Sequence, residues 1–161
     1  MTALVTKSAE DTRELAAQIA PLLRAGDFVL LAGDLGAGKT AFTQGLGAAL
    51  GITEPITSPT FTLMRSYEGR VRLLHVDVYR LDYLQEITEL GIPELVDDHA
   101  VAVIEWGDVA EAALPADYLK IEISYGTGDE ERGFELHAFG TSWSHRQQAL
   151  ERAVGRWRAD A

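Results

Sequence analysis

Gly33-Asp34-Leu35-Gly36-Ala37-Gly38-Lys39-Thr40 fills every fixed position of G-x-x-x-x-G-K-[ST], the spacing that folds a phosphate-binding loop. Glycines at 33, 36 and 38 free the backbone to wrap an anion, so that successive N–H groups point inward. A helix opening at Lys39 would aim its positive end at the same place. Lys39 would add a full charge for the β- and γ-phosphates, and the Thr40 hydroxyl is placed for Mg²⁺. The flanks agree. Phe28-Val29-Leu30-Leu31-Ala32 reads as a buried strand, and residues 41–50 read as a helix stopped by Gly51.

Nucleotide hydrolysis needs a second metal contact and a group to position the attacking water. Carboxylates at the ends of apolar strands are natural suppliers, because strand tips beside a phosphate loop face the crevice. Asp77 follows Leu73-Leu74-His75-Val76, and Glu105 follows Val101-Ala102-Val103-Ile104. Either could hold Mg²⁺, directly or through water. Other chemistry is thin. His75, His99, His137 and His145 show no paired ligand spacing, which favours structural or surface roles. Neither G-x-S-x-G nor H-E-x-x-H occurs. The guanine-reading N/T-K-x-D pattern is also missing, which favours ATP over GTP.

The elements that must position these groups can be read in chain order. Ser8 caps a first helix with Glu10 and Asp11 in its opening turn, and Pro21 ends or kinks it near Ala20. Residues 52–60 carry Pro55, Pro59 and several hydroxyls and form a loop, placed where phosphate-loop proteins keep a segment that senses the γ-phosphate. Residues 61–67 and 71–78 alternate around a Glu68-Gly69 turn. So close a return requires an antiparallel pair, hence a mixed sheet. A helix is expected from Asp82 to Gly91, a short one at 92–97, and a central strand at 101–105. Residues 119–125 and 132–139 form a second hairpin, expected toward a sheet edge. Residues 144–157 form one amphipathic helix. The expected fold class is α/β: a P-loop NTPase-like three-layer fold with a mixed, partly parallel sheet and flanking helices, in one domain spanning 1–161.

Composition sets outer bounds. With 161 residues and 47% hydrophobic content the chain can bury a sizeable core. It has no cysteine, so neither disulfides nor thiolate metal sites are available. No apolar run reaches membrane-spanning length and no signal pattern opens the chain, so a cytoplasmic location without membrane contact is expected. The 14 Lys and Arg against 25 Asp and Glu give a formal charge of −11. A protein gripping nucleic acid alone would carry a basic face, so any link to nucleic acid is expected through a partner.

The combination of the 33–40 loop with Thr57-Ser58-Pro59-Thr60-Phe61-Thr62-Leu63, His75-Val76-Asp77-Val78-Tyr79-Arg80-Leu81 and Glu105-Trp106 resembles the TsaE (YjeE) family. The family comprises small bacterial P-loop ATPases of tRNA threonylcarbamoyladenosine biosynthesis. The resemblance implies an ATPase that joins the TsaB–TsaD complex in modifying adenosine 37 of tRNA, touches tRNA only indirectly, and does not itself transfer the threonylcarbamoyl group. It implies ATP on Asp34, Leu35, Gly36, Ala37, Gly38, Lys39, Thr40 and Ala41, with Mg²⁺ held by Thr40 and Glu105. Lys39 and Asp77 would be the catalytic pair, with Asp77 positioning water or acting as base. Ser58 and Thr60 would lie on a switch-like loop, and Thr12 and Arg132 on the nucleotide side. Gly107 stands where the family commonly has proline after the Glu–Trp pair. Two rival readings remain: a small-molecule P-loop kinase, with Arg65, Arg70, Arg72 and Arg80 as candidates for a lid, and a nucleotide-binding scaffold without hydrolysis.

Trp106 adjoins the proposed metal ligand. Its fluorescence should change on adding Mg·ATP, and an unchanged spectrum at saturating nucleotide would count against placing Glu105 at the site.

Overall fold

The apolar runs of the sequence become the interior strands of one sheet. The computed structural model describes residues 1–33, 37–57, 64–78, 89, 91–96, 99–105 and 111–159. The strands are β1 (Thr2–Thr6), β2 (Phe28–Gly33), β3 (Met64–Tyr67), β4 (Arg72–Asp77), β5 (Ala100–Glu105), β6 (Tyr118–Tyr125) and β7 (Arg132–Phe139). They form a seven-stranded sheet in the order β1-β7-β6-β2-β5-β4-β3. β2 runs parallel to both β5 and β6, and β4 runs parallel to β5. β3 pairs antiparallel with β4, β7 with β6, and β1 with β7. The sheet is therefore mixed and partly parallel, as the tight 68–69 return requires. β5 is buried along its whole length, as expected for a strand covered on both faces.

Helices α1 (Ala9–Ile19), α2 (Lys39–Ala49), α3 (Ile92–Val96), α4 (Thr141–Ser144) and α5 (Gln147–Val154) flank the sheet. Ser8 caps α1 by accepting the Asp11 N–H at 3.0 Å. Pro21 acts as expected: the α-helix stops at Ile19 and one 3₁₀ turn, Ala20–Leu22, follows. α2 stops before Gly51, whose φ of +85° suits glycine. Leu15, Ile19, Phe42, Leu46, Leu150 and Val154 pack on the face carrying Val29, Leu31, Leu73, Val101 and Val103. The opposite face, with Leu30, Leu74, Val76, Ala102 and Ile104, is covered by Ile92 and Val96 of α3. α1 and α2 approach so closely that a Cβ on Gly45 would strike the Arg13 backbone.

The hairpin β6–β7 lies toward one edge, as expected, with β1, which the pattern did not reveal, adding beyond it. The short helix expected at 92–97 is found over Ile92–Val96, and residue 97 lies outside the described residues. One expectation is corrected: the helix expected over 144–157 is divided into α4, α5 and a 3₁₀ turn at Gly155–Trp157. The helix expected from Asp82 to Gly91 falls, apart from residues 89 and 91, outside the described residues.

The break before α5 has a physical reason. Arg146, 3% exposed, donates to both carboxylate oxygens of Asp27 at 2.6 and 3.0 Å and to the Leu22 carbonyl at 2.9 Å. Its guanidinium also lies 3.8 Å from the Trp143 ring centroid. The chain turns to serve this buried pair rather than continuing one helix. Farther along, Glu111 accepts from Tyr118 at 2.7 Å and from Lys120 at 3.0 Å. Burial, then the bond to Glu111, pushes the Tyr118 hydroxyl up to about 12. The hydrogen bond from Tyr118 in turn lowers the Glu111 carboxyl.

Removing one partner of a buried ion pair leaves the other charge uncompensated. Arg146→Met should lower unfolding free energy in urea by about 3–5 kcal/mol, and adding Asp27→Asn should recover part of the loss. A change under ~1 kcal/mol would show that this pair does not anchor the C-terminal helices.

Candidate functional site

β2, β5 and β4 end side by side, and their register decides what stands at the tip. Leu31 pairs with Glu105, and Glu105 with Asp77. The two acids predicted from strand ends are thus direct cross-strand neighbours, beside the strand that runs into the 33–40 loop. Both are buried, Asp77 at 6% exposure and Glu105 at 2%. They share the sheet face that packs α1 and α2, since Leu73 and His75 precede Asp77 at the strand period of two.

The loop itself is partly described. α2 begins at Lys39 with Gly38 as its N-cap, at φ +115°, a conformation costly for a residue with a Cβ. Lys39 is 5% exposed and its ammonium donates to the Gly33 carbonyl at 2.7 Å, so the charge is held across the mouth of the loop. Thr40 is half-buried in the first turn. Asp34, Leu35, Gly36, Ser58, Thr60 and Trp106 lie outside the described residues.

Thr12 and Arg132, distant in sequence, meet at one cleft. Together with Ala9, Gly38, Ala41 and Glu130 they line a cavity of about 230 Å³ against the end of the phosphate loop. Arg132 donates from Nε to the Ala37 carbonyl at 3.1 Å and lies 4.8 Å from the Tyr125 ring centroid. Thr12 shares a hydrogen bond with the Thr6 hydroxyl at 2.7 Å. The cleft is small and part apolar, and it opens beside the helix N-terminus that would take phosphates.

Sequence reasoning missed His75 as part of the site. A structural or surface role was expected, and the buried, structural alternative holds, with Nε2 hydrogen-bonded to the Glu105 carboxylate. The signal was available: His75 sits two residues before Asp77, and so on the same face of the same strand. Ala9 and Glu130 were also missed, and no motif marks them.

Carboxylates and a threonine hydroxyl are hard oxygen donors of the kind Mg²⁺ takes, and Asp77 and Glu105 stand as buried cross-strand neighbours. A second acidic group lies elsewhere. Glu122, Glu135 and His137 bring ligand atoms within 4.8 Å of one another on β6 and β7. There Lys120 stands 3.4 Å from Glu122 and already supplies positive charge.

A strand feeding a glycine loop, a helix opening at its lysine and acids on adjacent parallel strand tips define a P-loop NTPase-like α/β protein. The family model described as "Threonylcarbamoyl adenosine biosynthesis protein TsaE" matches residues 6–134, and the chain belongs to that family. A Treponema pallidum relative is 48% identical over 111 residues, covering 69% of this chain and 82% of the relative. A Bacillus subtilis relative is 38% identical over 148 residues, covering 91% and 92%. Both carry the name "tRNA threonylcarbamoyladenosine biosynthesis protein TsaE". The crystal structure of Bacillus subtilis YdiB matches with a TM-score of 0.80 at 35% identity over 93% of each chain. No helix among the described residues is long and apolar enough to cross a membrane.

Proposed function

We propose that this chain is a Mg²⁺-dependent ATPase that supports threonylcarbamoyladenosine formation at position 37 of tRNA. It would act in the cytoplasm with a TsaB–TsaD complex and reach tRNA only through that complex. The observation that carries the ATPase is the register pairing Asp77 with Glu105, buried beside the strand that enters the phosphate loop. A bare anion-binding loop has no use for two adjacent buried acids, whereas hydrolysis of a metal–nucleotide does.

In this role the amides of residues 34–41 and the helix N-terminus hold the phosphates, and Lys39 balances charge on the β- and γ-phosphates. Thr40 and Glu105 hold Mg²⁺, which, when bound, neutralises charge developing on the phosphate oxygens. Asp77 accepts a hydrogen bond from the attacking water and orients it. As the water oxygen bonds to the γ-phosphorus, its proton passes to the Asp77 carboxylate, the bond to the β–γ bridging oxygen breaks and ADP leaves with that electron pair. Thr12, Ala41 and Arg132 line the cleft for the base and sugar. Ser58 and Thr60 report the nucleotide state. Turnover by the isolated chain is slow, with the partner completing the site.

The kinase alternative needs arginines free to form a lid. Arg70 instead donates to the Ala20 carbonyl at 3.5 Å, Arg72 pairs with Glu68 at 2.9 Å, and Arg65 donates to Thr57 at 3.3 Å. Arg80 lies outside the described residues.

Lys39→Ala should weaken ATP binding about tenfold or more, since a charge-assisted hydrogen bond contributes roughly 1.5–3 kcal/mol. Calorimetry showing unchanged affinity would refute the cradle. Asp77→Asn should keep Mg·ATP binding and lose at least ~100-fold in turnover, the low end for an acid–base group; unchanged turnover would leave only a binding scaffold. Ala41→Leu should fill the cleft, weakening ATP binding while sparing inorganic triphosphate. Equal losses for both ligands would move the base elsewhere.

A further inference from the structure

We propose that His75 is a positioning residue that holds Glu105 in the orientation needed to receive the cation. The proposal rests on Glu105 being a cation ligand, as set out above. His75 has no exposed surface, and its neighbours along β4 are apolar residues of the two cores. An aliphatic side chain would fill such a place without any polar group to satisfy. Among the described residues the imidazole has one polar partner: Nε2 meets Oε2 of Glu105, while Nδ1 is buried with no hydrogen bond.

This pattern assigns the tautomer. With Nδ1 bare, the proton belongs on Nε2, where it is donated to the carboxylate. The donor fixes one oxygen of Glu105. The other oxygen, Oε1, is then the one offered to a cation.

The register explains why Glu105 needs holding. It stands directly opposite Asp77, and like charges facing each other across paired strands repel. Left to itself, the longer glutamate side chain would swing away from the aspartate. His75 pairs with Val103, two residues before Glu105, so its ring reaches diagonally along β5 and restrains the carboxylate from behind. Groups that orient a metal ligand in this way commonly change metal affinity 10–100-fold when removed.

The test uses the full-length chain with ADP and Mn²⁺ as a paramagnetic stand-in for Mg²⁺, read by electron paramagnetic resonance. ADP affinity without metal and thermal stability are measured in parallel. His75→Leu keeps bulk and removes the donor. His75→Gln places an amide nitrogen near the position of Nε2 and restores a donor. Mn²⁺ affinity should fall about tenfold or more in His75→Leu, with metal-free ADP affinity within about twofold of the parent, and His75→Gln should regain most of the loss. Should His75→Leu not fold, His75→Asn replaces it, because its shorter amide cannot reach Glu105. Unchanged Mn²⁺ affinity in the folded donor-free variant, or equal losses in it and His75→Gln, would make His75 a packing residue and overturn the proposal. Glu105→Gln separates the two levels of inference. If it leaves Mn²⁺ affinity unchanged, Glu105 is not a cation ligand, and both assignments fall.

Discussion

Two carboxylates side by side in a nearly water-free place are an electrostatic cost, and the site follows from how the fold meets it. Unit charges ~5 Å apart repel by about 3 kcal/mol at an effective dielectric of 20. Asp77 and Glu105 are set opposite each other by the β4–β5 register and are almost fully buried. That register is in turn fixed by the apolar runs ahead of them. A slip of β4 by one residue would send Leu73 to the wrong face of the sheet along with Asp77. Core packing and the placing of chemistry are here one constraint. A divalent cation would turn the repulsion into attraction.

The antiparallel half of the sheet contributes by reaching back to this centre. Arg132 opens β7 yet donates to the Ala37 carbonyl, 95 residues earlier, so the end of the phosphate loop is braced from the far hairpin. The brace also forms one wall of the cleft at Thr12 and Ala41. On the other side, Gln44 of α2 donates to the Ile56 carbonyl at 3.0 Å, and Arg65 of β3 donates to the Thr57 hydroxyl at 3.3 Å. The chain leading to residues 58–60 therefore starts from an end tied both to the phosphate helix and to the strand beside Asp77. In the proposed ATPase, a loop that senses nucleotide would have its mechanical connection at these bonds.

How much of this was legible in the sequence depended on the range of the forces involved. The glycine loop, its flanking strand and helix, and the Ser8 and Gly51 boundaries are local, and each was readable. The two acids were readable as strand ends, because an apolar run ending in a carboxylate is a local pattern too. Their adjacency was not, since it comes from a register between strands about 28 residues apart with a crossover between them. β1 was missed because its five residues include two threonines and an alanine, and only pairing with β7 makes them a strand. The break at Arg146 was missed because the buried Asp27 that draws it lies 119 residues away. His75 was readable as structural, but its bond to Glu105 was not, because a lone polar residue in an apolar run shows its partner only once the register sets Glu105 beside it.

Charge sets a local problem inside a global one. The chain carries −11 overall, and a nucleoside triphosphate is itself strongly anionic. Long-range attraction therefore cannot gather the ligand, and at physiological salt it would fade beyond ~8 Å in any case. In the proposed ATPase, binding would come from donors in contact: the helix N-terminus, the Lys39 ammonium and backbone amides turned by glycine. Those groups act over a few ångströms, where screening is weakest and low dielectric strengthens them. The same acidity bears on tRNA. Affinity for a polyanion comes mainly from displacing its counterions with many cationic contacts, and this chain has no basic stretch to make them. An acidic chain with a lysine opening its phosphate-loop helix suits the proposed subunit, which would read nucleotide itself and leave the RNA to a partner.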